Sequence, residues 1–129
     1  MTTTSGRFDL TRWDEDTYAD DDTARLVQVE LAKTFEGGIT GTSTARVLQA
    51  LTPRGGASYV GVERVEAAVD GRKGTFVLRH SASGTVDGGD FRVDVVPGSG
   101  TGELAGLSGE LTIVNDGGEH SYTFTYDLA

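Results

Sequence analysis

The chain of 129 residues predicts an all-β fold, a single antiparallel eight-stranded barrel closed around a central cavity. Three observations carry that expectation. Glycine-rich turn signals recur at Gly37-Gly38, Gly55-Gly56, Asp70-Gly71, Asp87-Gly88-Gly89 and Asp116-Gly117-Gly118. Between them apolar and polar residues alternate with period two, as half-buried strands require. Proline is nearly absent, and no segment shows the 3.6-residue period of a helix. A chain of this length forms one domain, residues 1–129, and buries roughly two thirds of its unfolded surface without covalent staples.

The first strand, Gly6 to Asp14, turns Phe8 and Leu10 inward. Asp14, Glu15, Asp16, Asp20, Asp21 and Asp22 follow closely and predict a solvated loop. That run lacks the central glycine and terminal glutamate of a calcium loop. In the second strand, Leu26 to Glu36, the residues Val27, Val29, Leu31 and Phe35 face inward with Lys33 among them. The third, Ile39 to Thr52, begins its inward set Ile39, Gly41, Ser43, Ala45, and such small residues leave volume unfilled. Two faces compete in the fourth strand, Ser58 to Ala68: Tyr59, Gly61, Glu63 and Val65, or Val60, Val62, Arg64 and Glu66. The first is chosen, because Gly61 fits beside a cavity and Glu63 could partner Lys33.

The fifth strand, Gly74 to Ser83, carries Phe76, Leu78 and then His80 on its inner face. The sixth, Asp90 to Val96, turns Phe91, Val93 and Val95 inward, and the seventh, Ser108 to Asn115, Leu111 and Ile113. Between them Gly100-Thr101-Gly102-Glu103-Leu104-Ala105 fits G-x-G-x-x-A, but Gly106 and Gly109 interrupt the helix a dinucleotide site needs. A tight loop with at most one helical turn is expected there. The eighth strand, His120 to Leu128, alternates most clearly: His120, Tyr122, Phe124, Tyr126 and Leu128 share the inner face.

Composition excludes several classes of function. With 20 acidic against 11 basic residues the net charge is −9, which opposes nucleic-acid and anionic membrane surfaces. There is no cysteine, hence no disulfide and no thiolate metal site. No signal-peptide pattern opens the sequence and no apolar run reaches membrane-spanning length, so a cytoplasmic protein is expected. No serine-nucleophile elbow occurs; Gly106-Leu107-Ser108-Gly109-Glu110 comes closest and ends wrongly. Two histidines and a carboxylate could hold a metal, but no H-x-H or H-x-x-x-H spacing supports one, and neither metal nor cofactor is expected.

The remaining signal is a set of polar groups on the apolar face. Ionisable side chains are costly there unless paired or solvated. His80, His120 and Glu63 are the catalytic candidates. Lys33, Tyr59, Phe76, Leu78, Tyr122, Phe124 and Tyr126 are the candidates for ligand contact. Leu48, Ala50, Val60, Val62 and Val77 point outward and predict an apolar patch through which the chain forms a homo-oligomer.

Several blocks resemble a known family. Trp13 in the first strand, Lys33-Thr34-Phe35-Glu36-Gly37 followed by Gly41-Thr42-Ser43, and Tyr59-Val60-Gly61-Val62-Glu63-Arg64-Val65 are similar to a mostly actinobacterial group of small proteins. Gly71-Arg72-Lys73-Gly74-Thr75-Phe76-Val77-Leu78-Arg79-His80, the stretch Val96-Pro97-Gly98-Ser99-Gly100-Thr101-Gly102-Glu103-Leu104, and His120-Ser121-Tyr122 with Tyr126 extend the match. The group is the domain-of-unknown-function 3224 family, and the resemblance covers essentially the whole chain. It implies a calycin-like barrel similar to that of allene oxide cyclase, in which a pocket folds a flexible apolar substrate into a reactive shape. The expected function is therefore a cofactor-independent isomerase or cyclase acting on a small apolar or amphipathic metabolite. A non-catalytic ligand carrier or sensor of the lipocalin type is the alternative.

Overall fold

The computed structural model describes all residues, Met1–Ala129. Eight strands follow one another as β1 (Thr2–Asp20), β2 (Arg25–Gly37), β3 (Ile39–Leu51), β4 (Ala57–Val69), β5 (Arg72–Thr85), β6 (Gly88–Val95), β7 (Leu107–Asp116) and β8 (Glu119–Leu128). Each pairs antiparallel with the next, and β8 pairs back onto β1 from Thr2↔Tyr126 to Phe8↔His120, so the sheet closes into a barrel in sequence order. Every expected glycine signal falls at or beside a turn. The clearest is Asp70-Gly71 between β4 and β5, where both residues take positive φ (47° and 86°), as a two-residue hairpin turn that follows the sheet's twist requires.

The barrel has two unlike ends. At one lie the β2–β3 and β4–β5 turns and the segment from β6 to β7. That segment makes a single 3-10 turn, Gly102–Leu104, as the glycine pattern predicts, and it inserts the wholly buried Leu104. Thr101 ties it to β5, its Oγ1 accepting from the Thr75 N–H at 3.0 Å. Phe35, Ile39, Val69, Phe76, Leu78, Leu107, Phe124 and Tyr126 pack around Leu104 and fill this end. At the other end a second group, Val27, Val29, Leu31, Ala45 and Val47, lines only the β2–β3 side.

Three departures from the sequence-based expectation concern the edges. Most of the acidic run is strand rather than loop: β1 continues to Asp20 and pairs with β2 as far as Asp20↔Arg25. Its residues are exposed, and ion pairs with Arg12 and Arg25 draw the charge into the ladder. Leu10 keeps the inward register opposite Lys33 but is 40% exposed, because it stands at the open rim just before the bulge between Leu10 and Arg12. Phe91 is 47% exposed, because β6 pairs with β7 only at Val93↔Leu111 and Asp94↔Glu110, and nothing closes over its outer stretch.

On the outer face Leu48 pairs with Val60 beside Val62, and all three are exposed, whereas Ala50 and Val77 are half-buried. Leu48, Val60 and Val62, with Arg46 and Arg79, border an open hollow of about 650 Å³. No helix is long and apolar enough to cross a membrane.

Candidate functional site

Four polar side chains converge inside the barrel, and strand register explains why. Lys33 on β2 lies directly opposite Ser43 on β3, Glu63 on β4 opposite Ala45, and His80 on β5 opposite Gly61. Glu63 is thus the diagonal neighbour of both Ser43 and His80, within reach of long side chains on one face. Of the two competing faces of the fourth strand, Tyr59, Gly61, Glu63 and Val65 take the inside.

Glu63 is wholly buried (0% exposed), and its carboxylate receives every hydrogen bond in the cluster. Oε1 accepts from Lys33 Nζ at 3.2 Å and from His80 Nε2 at 2.7 Å; Oε2 accepts from Ser43 Oγ at 2.5 Å. Burial pushes the carboxyl up. The His80 hydrogen bond, the Lys33 and His80 charges and the Ser43 hydroxyl outweigh it and hold the group at about 2, below its ordinary 4.5. An ionised carboxylate only accepts, so the proton between it and His80 sits on Nε2 and leaves Nδ1 as the second ring nitrogen. Lys33 and His80 are 6% and 7% exposed. The Lys33 ammonium also stands 4.5 Å from the centroid of the Phe8 ring.

Above this cluster, at the open end, lies a pocket of about 230 Å³. Its apolar wall comes from Phe8, Leu10, Trp13, Leu31, Ala45, Val47 and Ile113, and its polar groups are Lys33, Gln49, Tyr59, His80 and His120. Burial raises the Tyr59 phenol, so it stays protonated as a donor at neutral pH. His120 stands apart from the carboxylate and stacks on Phe8 with ring centroids 5.0 Å apart. The small residues of β3 contribute unequally to the hollow: Ser43 is engaged by Glu63, and only Ala45 lines it. Gly61 faces filled space, since a Cβ there would stand 2.8 Å from Val47 Cγ2.

The structure therefore brings together Lys33, Tyr59, Glu63, His80 and His120, with Glu63 beneath the pocket floor rather than in its wall. Phe76, Leu78, Tyr122, Phe124 and Tyr126 lie in the packed core and do not line the pocket. Two of them carry structural hydrogen bonds. The Tyr122 hydroxyl accepts from the Ile39 N–H at 2.8 Å and lies 2.8 Å from the Glu36 carbonyl; the Tyr126 hydroxyl donates to Asp70 Oδ2 at 2.5 Å. Residues the sequence reading did not select are Ser43, Gln49 and Trp13. Ser43 was legible as an inward-facing residue of β3; Trp13 was not, because it turns inward only past the bulge. No group of three or more His, Asp or Glu side chains is arranged to hold a metal ion.

The family model described as "Protein of unknown function (DUF3224)" matches residues 4–126. The fold is similar to the crystal structure of a DUF3224-family protein of unknown function from Shewanella oneidensis MR-1. The identity is 36%, the match covers 100% of this chain and 98% of that chain, and the TM-score is 0.91. No curated protein matches the sequence. The family match over most of the chain, together with a solved family member of the same barrel fold, shows that the chain belongs to the DUF3224 family.

Proposed function

We propose that this barrel binds a small, largely apolar metabolite in its open end and isomerises or cyclises it by proton transfer, without a cofactor. The observation that carries the reading is the Glu63 carboxylate beneath the pocket, hydrogen-bonded to His80 Nε2 at 2.7 Å. A buried carboxylate that fixes one ring nitrogen sets the tautomer and orientation of a histidine, the arrangement a general base needs.

In this reading His80 Nδ1 takes a proton from one atom of the substrate and returns it to another, so product and substrate have equal mass. Lys33 and the Tyr59 phenol donate hydrogen bonds to the oxygen on which negative charge develops. His120 closes the mouth and orients the ligand. Glu63 is a positioning residue that acts through His80 and Lys33, and Ser43 fills its remaining oxygen. The apolar wall confines the substrate near its reactive shape, which lowers a barrier by several kcal/mol when geometry is right. The core aromatics Phe76, Phe124, Tyr122 and Tyr126 and the aliphatic Leu78 hold the frame.

Incubating the protein with a small-molecule extract of its host, beside a heat-denatured control, tests the reading by mass spectrometry. A compound that changes retention time at constant mass, unchanged by His80→Ala protein with an intact fold, is the expected result. A compound retained but never converted makes the barrel a carrier and overturns the catalytic part.

A further inference from the structure

None of the polar groups that line the pocket is a carboxylate. Lys33 can only donate hydrogen bonds; it gives one N–H to Glu63 and has two more. Tyr59 carries a protonated phenol, Gln49 an amide, and His80 and His120 imidazoles. The one carboxylate of the cluster, Glu63, has no exposed surface, and both its oxygens already accept from Lys33, His80 and Ser43. A molecule entering the pocket thus meets an ammonium, the donor groups of Tyr59 and Gln49, the free nitrogen of His80, and no carboxylate. The ammonium sits where apolar walls from Phe8 and Leu31 exclude water, which strengthens its pull on a negative oxygen.

We infer that the ligand of this pocket is a compact organic anion, one apolar ring or short chain carrying a carboxylate or enolate oxygen that Lys33 receives. The walls enclose about 230 Å³, room for one ring with a short substituent, while any longer tail would leave through the open end. A cationic ligand is repelled by the Lys33 ammonium and finds no carboxylate in the wall to receive it. A neutral isostere fills the same walls and forgoes the charge-assisted bond. The inference rests on the pocket reading above and narrows it to a chemical class.

Trp13, the single tryptophan, lines the pocket and makes entry observable. The experiment titrates the full chain with benzoate, benzyl alcohol and benzylamine at fixed ionic strength and follows Trp13 emission. Benzoate is expected to bind at least about tenfold more tightly than either isostere. Lys33→Met should erase that preference by weakening benzoate far more than benzyl alcohol, and Lys33→Arg should retain most of it; Lys33→Met with Glu63→Leu, which strands no buried carboxylate, should show the same loss of preference. Benzyl alcohol or benzylamine binding as tightly as benzoate to the unaltered protein overturns the anion class while leaving the pocket standing. No change in emission with any probe up to about 10 mM, beyond any useful affinity, removes the pocket as a site and the function proposed for it.

Discussion

The residue on which the site depends is Glu63. Its charge is tolerable at zero exposure because three donors surround it, and each donor is in turn held by it. Glu63→Gln leaves the Lys33 ammonium buried without a counter-charge, and urea unfolding should show a loss of about 3–5 kcal/mol. Replacing both partners, Lys33→Met with Glu63→Leu, removes the stranded charge and should recover most of that loss. The pH dependence has a definite sign. The carboxyl takes a proton near 4.5 when unfolded but only near 2 when folded, so the unfolded state binds more protons between those values. Its stabilising contribution is complete above the upper value and disappears as the pH falls towards the lower one. Unfolding midpoints across that window should decline in the unaltered protein and decline less steeply in Glu63→Gln.

Among the elements, the hairpins were legible in the sequence and the edges were not. Lys33 and Ser43 stand equidistant from Gly38, Ala45 and Glu63 from Arg54, and Gly61 and His80 from the Asp70-Gly71 turn. Period two puts all four cluster residues on one face, while the exact register, pivoting on Gly38 and Arg54 rather than on the centres of the Gly37-Gly38 and Gly55-Gly56 signals, needed the coordinates. The acidic run misled because charge density signals solvation, not loop, and a strand edge is also solvated. The turn itself is narrower and belongs to Asp21, whose carboxylate accepts from the Thr23 N–H at 2.8 Å and the Ala24 N–H at 3.0 Å. Asp21→Ala should lower the unfolding midpoint slightly, by removing the acceptor that closes the turn. The bulge that turns Trp13 inward has no signature in an alternating pattern. Gly6, by contrast, has a clear packing reason: a Cβ there would run into the Glu36 carbonyl and the Tyr122 hydroxyl that clasps β8 to the β2–β3 turn. Gly6→Ala and Tyr122→Phe should each lower stability, by about 1–3 kcal/mol, in the same unfolding assay.

At the scale of the whole molecule, the barrel divides into two unlike halves along its length. The end stoppered by Leu104 is packed solid and supplies the stability; the other leaves a hollow that ends on a charged floor. The sequence revealed the polar residues that face inward but not this division, because alternation assigns a face and not a height along the barrel. That is why Phe76, Leu78, Tyr122, Phe124 and Tyr126 looked equivalent to Tyr59 and His80 in the sequence and stand in a different half in space. The claim that joins scaffold to function is that Glu63 fixes His80 with its proton on Nε2 and its lone pair on Nδ1. A long-range nitrogen–proton NMR spectrum of the His80 ring, taken where the ring is neutral, tests it directly. The account predicts a protonated Nε2, with Nδ1 the nitrogen whose signal moves when benzoate fills the pocket; a ring protonated at Nδ1 and indifferent to that ligand would contradict it.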